Sequence, residues 1–172
     1  MKKLIFILFI FLSSQSFSQL SNLDFEEWDS VVVQNDCCQE VPKGWKYNEW
    51  NEPFVQKSDF AHSGNWSIGL DGSVSGFDNP IPSFVQQKFR VPTGLDSISA
   101  NVVVLNGTNF CGFGLTRDTL PYYTFFQFKP LEVGWCSTAT IPEYQRVGFA
   151  VPDSLWGEEM YLTAYSLSLI HI

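Results

Sequence analysis

The chain has 172 residues, 10 Lys+Arg against 18 Asp+Glu, and a net charge of −8; aromatic residues make up 16% of it. So many rings with so little charge exclude intrinsic disorder and imply a packed core, and the length suits one domain. An acidic chain without a basic run is a poor partner for phosphate backbones, which excludes nucleic acid.

Lys2 and Lys3 precede an apolar run from Leu4 to Leu12, and Ser16, Phe17 and Ser18 follow before Gln19. This positive, apolar, small-residue order is that of a secretory signal, and the run is too short to span a bilayer. Cleavage is expected after Ser18, so that 1–18 is a signal peptide and 19–172 a single exported domain. The mature domain then carries a charge of −10, which argues against anionic membranes and strongly acidic polysaccharides. No Cys stands at the cleavage position, which disfavours a lipoprotein anchor. The expected location is the periplasm, the cell surface or the medium. Four of the 16 Phe fall in the signal, whereas all 6 Trp lie in the mature chain.

Export changes how the four cysteines read. Outside the cytoplasm an even count favours disulfides, with three connectivities open. The expected pair is Cys111–Cys136, because both lie beside aromatic strand segments. That leaves the vicinal Cys37 and Cys38 to each other through a strained ring. Zinc is disfavoured, because the paired C-x2-4-C knuckles it needs are absent.

Helical periodicity is nearly absent from the mature chain. Strands are expected, in order, at Leu23–Glu26, Phe54–Lys57, Trp66–Leu70, Ser83–Val91, Ile98–Leu105, Cys111–Thr116, Tyr122–Phe128, Arg146–Val151 and Met160–Ile172. Within Ser83–Val91, Val85, Gln87, Phe89 and Val91 share a mostly apolar face. Phe84, Gln86, Lys88 and Arg90 share a mostly polar one. Ile98, Ala100, Val102 and Val104 repeat the alternation. Nine short strands with Gly, Pro, Asn and Asp between them predict an all-β antiparallel sandwich.

Three segments carry a resemblance: Asn22-Leu23-Asp24-Phe25-Glu26, Pro42-Lys43-Gly44-Trp45, and the stretch from His62 to Leu70 with its Gly64 turn. Phe84 to Pro92 and the strand from Ser97 to Leu105 continue it. In this order the chain resembles the jelly-roll carbohydrate-binding modules of families 4 and 9 and the wider galactose-binding-like sandwiches. The resemblance implies a jelly-roll β-sandwich that binds sugar; large rings commonly fill such a core, and Trp45, Trp66 and Phe89 are assigned to it. Members often hold a structural calcium ion through an Asp pair in the last strand, where this chain has Ala164-Tyr165. Asp24, Glu26 and Asp71 remain as candidate oxygen ligands for calcium, against the alternative of solvated acidic strand ends.

Catalytic chemistry finds little support, and no catalytic residue is assigned. Of the two histidines, His171 is penultimate and His62 reads as a turn residue. Gly72-Ser73-Val74-Ser75-Gly76 puts Val74 where a nucleophile elbow needs Ser. Strand alternation places Glu26 and Glu27 on opposite faces, and Glu158 and Glu159 likewise, which argues against a carboxylate pair for glycoside cleavage.

The aromatics carry the stronger signal. Ring faces stack on sugar rings while amides and carboxylates bind hydroxyls. Tyr47-Asn48-Glu49-Trp50-Asn51-Glu52 interleaves both in a loop, where binding residues concentrate. Tyr47, Trp50 and Asn51 are therefore the first candidates, with Phe77, Tyr122, Tyr123 and Trp156 beside them. The expected function is an exported, non-catalytic carbohydrate-binding module. A surface module that meets a protein partner is the first alternative, and a small glycan hydrolase or lyase the second.

One pattern concerns modification. Asp29-Ser30-Val31, Asp96-Ser97-Ile98, Asp118-Thr119-Leu120 and Asp153-Ser154-Leu155 each read Asp, hydroxyl, aliphatic. They resemble the O-glycosylation acceptor of exported Bacteroidetes proteins. Turns that enter strands give the same pattern.

Overall fold

The computed structural model describes residues 20–33, 36–47, 55–70, 83–105, 111–118, 131–166 and 170–171; for 32, 33, 36–38, 170 and 171 it describes the backbone alone. The described strands are β1 (Trp28–Val33), β2 (Asp36–Pro42), β3 (Lys46–Tyr47), β4 (Val55–Ser58), β5 (Ser67–Leu70) and β6 (Ser83–Arg90). They continue with β7 (Ser97–Val104), β8 (Cys111–Thr116), β9 (Val133–Ser137), β10 (Ile141–Ala150), β11 (Glu159–Ser166) and β12 (Ile170–His171). A short 3-10 turn covers Asp153–Leu155. Among the described residues, no helix is long and apolar enough to cross a membrane.

Two five-stranded antiparallel sheets, ordered β10-β7-β12-β5-β4 and β3-β6-β11-β8-β9, form the sandwich, and β1 and β2 make a separate hairpin. The alternation explains the core. From the first sheet Val55, Ile68, Leu70, Val102, Val104 and Phe149 point inward; from the second come Val85, Phe89, Phe113, Leu115, Met160 and Leu162. Phe113 meets Phe149 across the layers with ring centroids 5.4 Å apart. Trp45 and Phe89 are core residues, and Trp45 packs on Phe25 at 5.2 Å.

The outer face of β6 is less polar than its sequence implies. Phe84 is buried with Tyr165, and Gln86 is buried while its Nε2 donates to Thr163 Oγ1 at 2.9 Å. Thr163 in turn lies 3.2 Å from the Thr116 hydroxyl, so a polar ladder crosses β6, β11 and β8. A buried amide is tolerated because its partners come with the strand register.

Several expected elements are corrected. Leu23–Glu26 is a turn, with Asn22 and Phe25 at φ 50° and 56°. The Asn22 amide donates to Glu27 O at 2.7 Å while Glu27 N donates to Asn22 Oδ1 at 2.9 Å. These local side-chain bonds compete with strand pairing and win. The last expected strand divides: β11 is central in one sheet, and β12 pairs in the other. The hairpin β1-β2 and strand β9 were not expected, and the predicted strand at Tyr122–Phe128 lies outside the described residues. Trp66, expected in the core, is half-buried at its edge.

The expected Cys111–Cys136 disulfide is also corrected: both thiols are free. Cys111 faces Ser137 across the β8-β9 ladder, while Cys136 faces Gly112. The one-residue offset sends the two side chains to opposite faces of the sheet, which geometry no bridge can span. Cys111 lies in the core and burial pushes its pKa up to about 11, whereas Cys136 is exposed. The side chains of Cys37 and Cys38 are not among those described. Thiol labelling under native conditions, mapped by peptide mass spectrometry, should therefore modify Cys136 and spare Cys111 until denaturant is added. Recovery of a 111–136 bridged peptide would refute this register.

Candidate functional site

One carboxylate positions the site. Glu26 Oε1 accepts hydrogen bonds from Asn65 N at 2.7 Å and Trp66 N at 3.0 Å, and Oε2 accepts one from Asn65 Nδ2 at 3.1 Å. These bonds, the Trp66 amide first, hold the Glu26 carboxyl below its usual pKa. The turn that it holds reverses at Gly64, whose φ is +74°. A side chain there would strain the backbone and meet Glu26 Oε1. Glu26 is thus the anchor of this turn. Asp24 lies in the adjoining turn, Asp71 is outside the described residues, and no described cluster of three acidic, His or Cys side chains could hold a metal.

The anchored turn presents rings to the outer surface of the first sheet. Phe60 precedes it and is 48% exposed. Tyr144 comes from the irregular stretch of β10, where the register with β7 shifts between Ile141 and Gln145. Such a bulge re-aims side chains. The Tyr144 ring stacks on Phe60 at 5.4 Å, and its Oη donates to Phe60 O at 2.6 Å. Ser67 Oγ donates to the same carbonyl at 2.7 Å. Partial burial raises the Tyr144 pKa, which keeps the hydroxyl protonated as a donor.

Polar groups border these rings. His62 sets its edge on Tyr144 at 5.5 Å, and its Nδ1 lies 3.2 Å from Asn101 Nδ2. Arg146, opposite Asn101 in the ladder, donates from Nε and Nη2 to Ser99 Oγ at 3.2 and 3.1 Å. The patch therefore combines an exposed stacked ring with an amide, an imidazole, a guanidinium and hydroxyls. On the far side of the turn, Lys57 Nζ lies 4.1 Å over the Trp66 ring and pairs with Glu40 at 3.0 Å.

Beneath the same turn, a cavity of 950 Å³ opens between the sheets. Its floor is apolar, with Phe89, Phe113, Leu162 and Ala164, and its rim carries His62, Asn101 and the serines of β7.

The sequence-predicted ring residues are not brought together here. Tyr47 is half-buried and packs against the core, contrary to its expected exposure. Trp156 is half-buried too, and its Nε1 donates to Leu95 O at 3.2 Å. Trp50, Asn51, Phe77, Tyr122 and Tyr123 lie outside the described residues. Phe60 and Tyr144 were missed. Tyr144 nevertheless carries the signal used for the 47–52 loop, a ring flanked by Glu143 and Gln145.

The chain matches no protein-family profile and no curated protein. Solved structures do align with it. A structure titled Family 16 Carbohydrate Binding Module-2 is 16% identical, with a TM-score of 0.42, covering 73% of this chain and 84% of that one. TmCBM61, solved in complex with beta-1,4-galactotriose, is 10% identical, with a TM-score of 0.42, covering 88% and 90%.

Two substitutions test the anchor. Because the folded-state pKa of Glu26 is depressed, its contribution is present above the ordinary carboxylate range and is lost as pH falls through the folded value. Glu26→Gln should lower the urea midpoint at neutral pH and narrow its gap to wild type in acid. An undiminished gap would show that the charge is not what holds the turn. Gly64→Ala should cost about 1–2 kcal/mol from left-handed strain alone, measured by the same unfolding curves.

Proposed function

We propose that this protein is an exported, non-catalytic carbohydrate-binding sandwich that holds a poly- or oligosaccharide on the outer face of β10 and β7. The observation that carries the reading is Phe60: a large ring, 48% exposed, stacked on Tyr144 and bordered by hydroxyl-binding groups. A buried core would not leave such a ring in water, and a flat apolar face beside an amide and a guanidinium suits a sugar ring. The resemblance of the 22–26, 42–45 and 62–70 segments to carbohydrate-binding modules points the same way.

Carboxylate chemistry is a weaker reading on this structure. Glu26 is engaged by the turn, Glu158 lies 3.3 Å from Arg117, and Glu159 pairs with Lys88 at 2.8 Å. Glu158 shares Arg117 with Glu132, 3.4 Å from its Nε, so both of these carboxylates are held by a cation.

Affinity electrophoresis against a panel of soluble polysaccharides tests the site. Phe60→Ala should weaken retention about tenfold, equivalent to about 1.4 kcal/mol, while leaving the unfolding midpoint near that of wild type. Equal retention of the two proteins would remove Phe60 from the site.

Export and modification belong to the same reading. Ser30, Ser97 and Ser154 are exposed, which leaves each hydroxyl accessible to a glycosyltransferase. The aliphatic member of two acceptor-like triplets is explained by packing, since Leu155 is buried in the core and Ile98 packs against it. The intact mass of protein recovered from the native exporter should exceed the bare 19–172 chain by whole glycans. A mass equal to the bare chain would leave the triplets as strand-entry turns.

A further inference from the structure

The guanidinium of Arg146 is held with one edge turned away from the protein. On the outer face of the first sheet Arg146 stands opposite Asn101 in the β10-β7 ladder, and Ser99 stands opposite Gly148. Its Nε and Nη2 reach diagonally to Ser99 Oγ, at 3.2 and 3.1 Å. Gly148 keeps that crossing clear, because a Cβ there would lie 3.1 Å from Ser99 Cβ and 2.8 Å from Ile98 O. Ser99 thereby takes one edge of the fork. The other edge, Nη1 with the second hydrogen of Nη2, remains for a further acceptor.

Among the described residues, no acid of this chain supplies that acceptor. Lys43, Lys57, Lys88 and Arg117 each pair with a carboxylate, at distances between 2.8 and 3.4 Å. Arg146 pairs with none, Glu143 of its own strand included. Lys46 and Arg90, the other described cations without such a pair, belong to the second sheet. The unpaired cation of the first sheet is therefore the one beside the rings. Asn101 lies 3.2 Å from His62, and His62 sets its edge on Tyr144. Tyr144 is two residues from Arg146, about 7 Å along an extended strand.

Resting on the reading of this face as a sugar site, we propose that its ligand is acidic at one position. That ligand is a neutral saccharide chain that carries a uronic acid next to the sugar seated on Phe60. The uronate carboxylate accepts two bonds from the remaining edge of Arg146, the end-on arrangement in which a guanidinium matches a carboxylate. A neutral hydroxyl in the same place gains no such charge-assisted pair. One fixed cation serves one carboxylate, while the net charge of −8 on the chain repels a continuous polyuronate. The ligand class is thus a neutral backbone with scattered uronic acid residues.

Affinity electrophoresis tests this with glucuronoxylan and gum arabic, each run beside its own carboxyl-reduced form. The acidic member of a pair should retain wild type about fivefold more strongly, the upper range for an exposed ion pair, and added salt should shrink the difference. Phe60→Ala should weaken retention by both members and leave their ratio in place. Arg146→Gln should bring the ratio to one. If that variant is retained by neither member, Ser99→Ala decides: it unties the guanidinium without touching the ladder and should lower the ratio. Equal retention of wild type by the acidic and reduced forms, or a ratio that survives both substitutions, would overturn the inference and leave the Phe60 site standing. A wild type that neither pair retains would overturn both.

Discussion

The outer surface of the first sheet depends on the carboxylate of Glu26. Its two oxygens take three donors from Asn65 and Trp66, at the other side of a 39-residue separation. Without them the turn through Gly64 has a left-handed residue and no internal bond to compensate for it. With them, the chain enters β5 in a set direction, Ser67 reaches Phe60 O, and Phe60 and His62 are delivered to Tyr144. A charge-assisted bond to backbone N–H groups is among the stronger polar contacts that an exposed site can make.

The same turn divides two different surfaces. Above it lies the aromatic patch, where rings and polar groups meet water. Below it lies the inter-sheet opening, where half-buried Ile98 and Ala100 face Phe113 and Leu162. The first joins exposed rings to polar groups, whereas the second is lined mostly by apolar side chains. His62 and Asn101 lie on the border of both.

Strong alternation was readable in the sequence. Cys111–Thr116 coincides with β8, and Ser83–Val91 and Ile98–Leu105 agree with β6 and β7 within a residue at either end. The core role of Phe89 follows from the same alternation. What sequence reasoning missed depends on contacts distant along the chain. Tyr144 becomes a surface ring because its hydroxyl meets a carbonyl 84 residues away. Leu23–Glu26 fails as a strand because Asn22 caps the turn locally. The thiols of Cys111 and Cys136 follow from a register offset of one residue, which no spacing of cysteines in the sequence discloses.

Strand β11 sets the order in which this molecule can assemble. It lies at the centre of its sheet, with eight register pairs to β6 and six to β8, and β6 and β8 do not pair with each other. Until residue 166 has left the ribosome, two apolar strands wait with open edges on either side of an empty place. Synthesis from the N-terminus therefore leaves this sheet open until β11 is made, and it then closes by non-local pairing, the slow kind. Until then the open edges of β6 and β8 are where wrong pairing is most easily made.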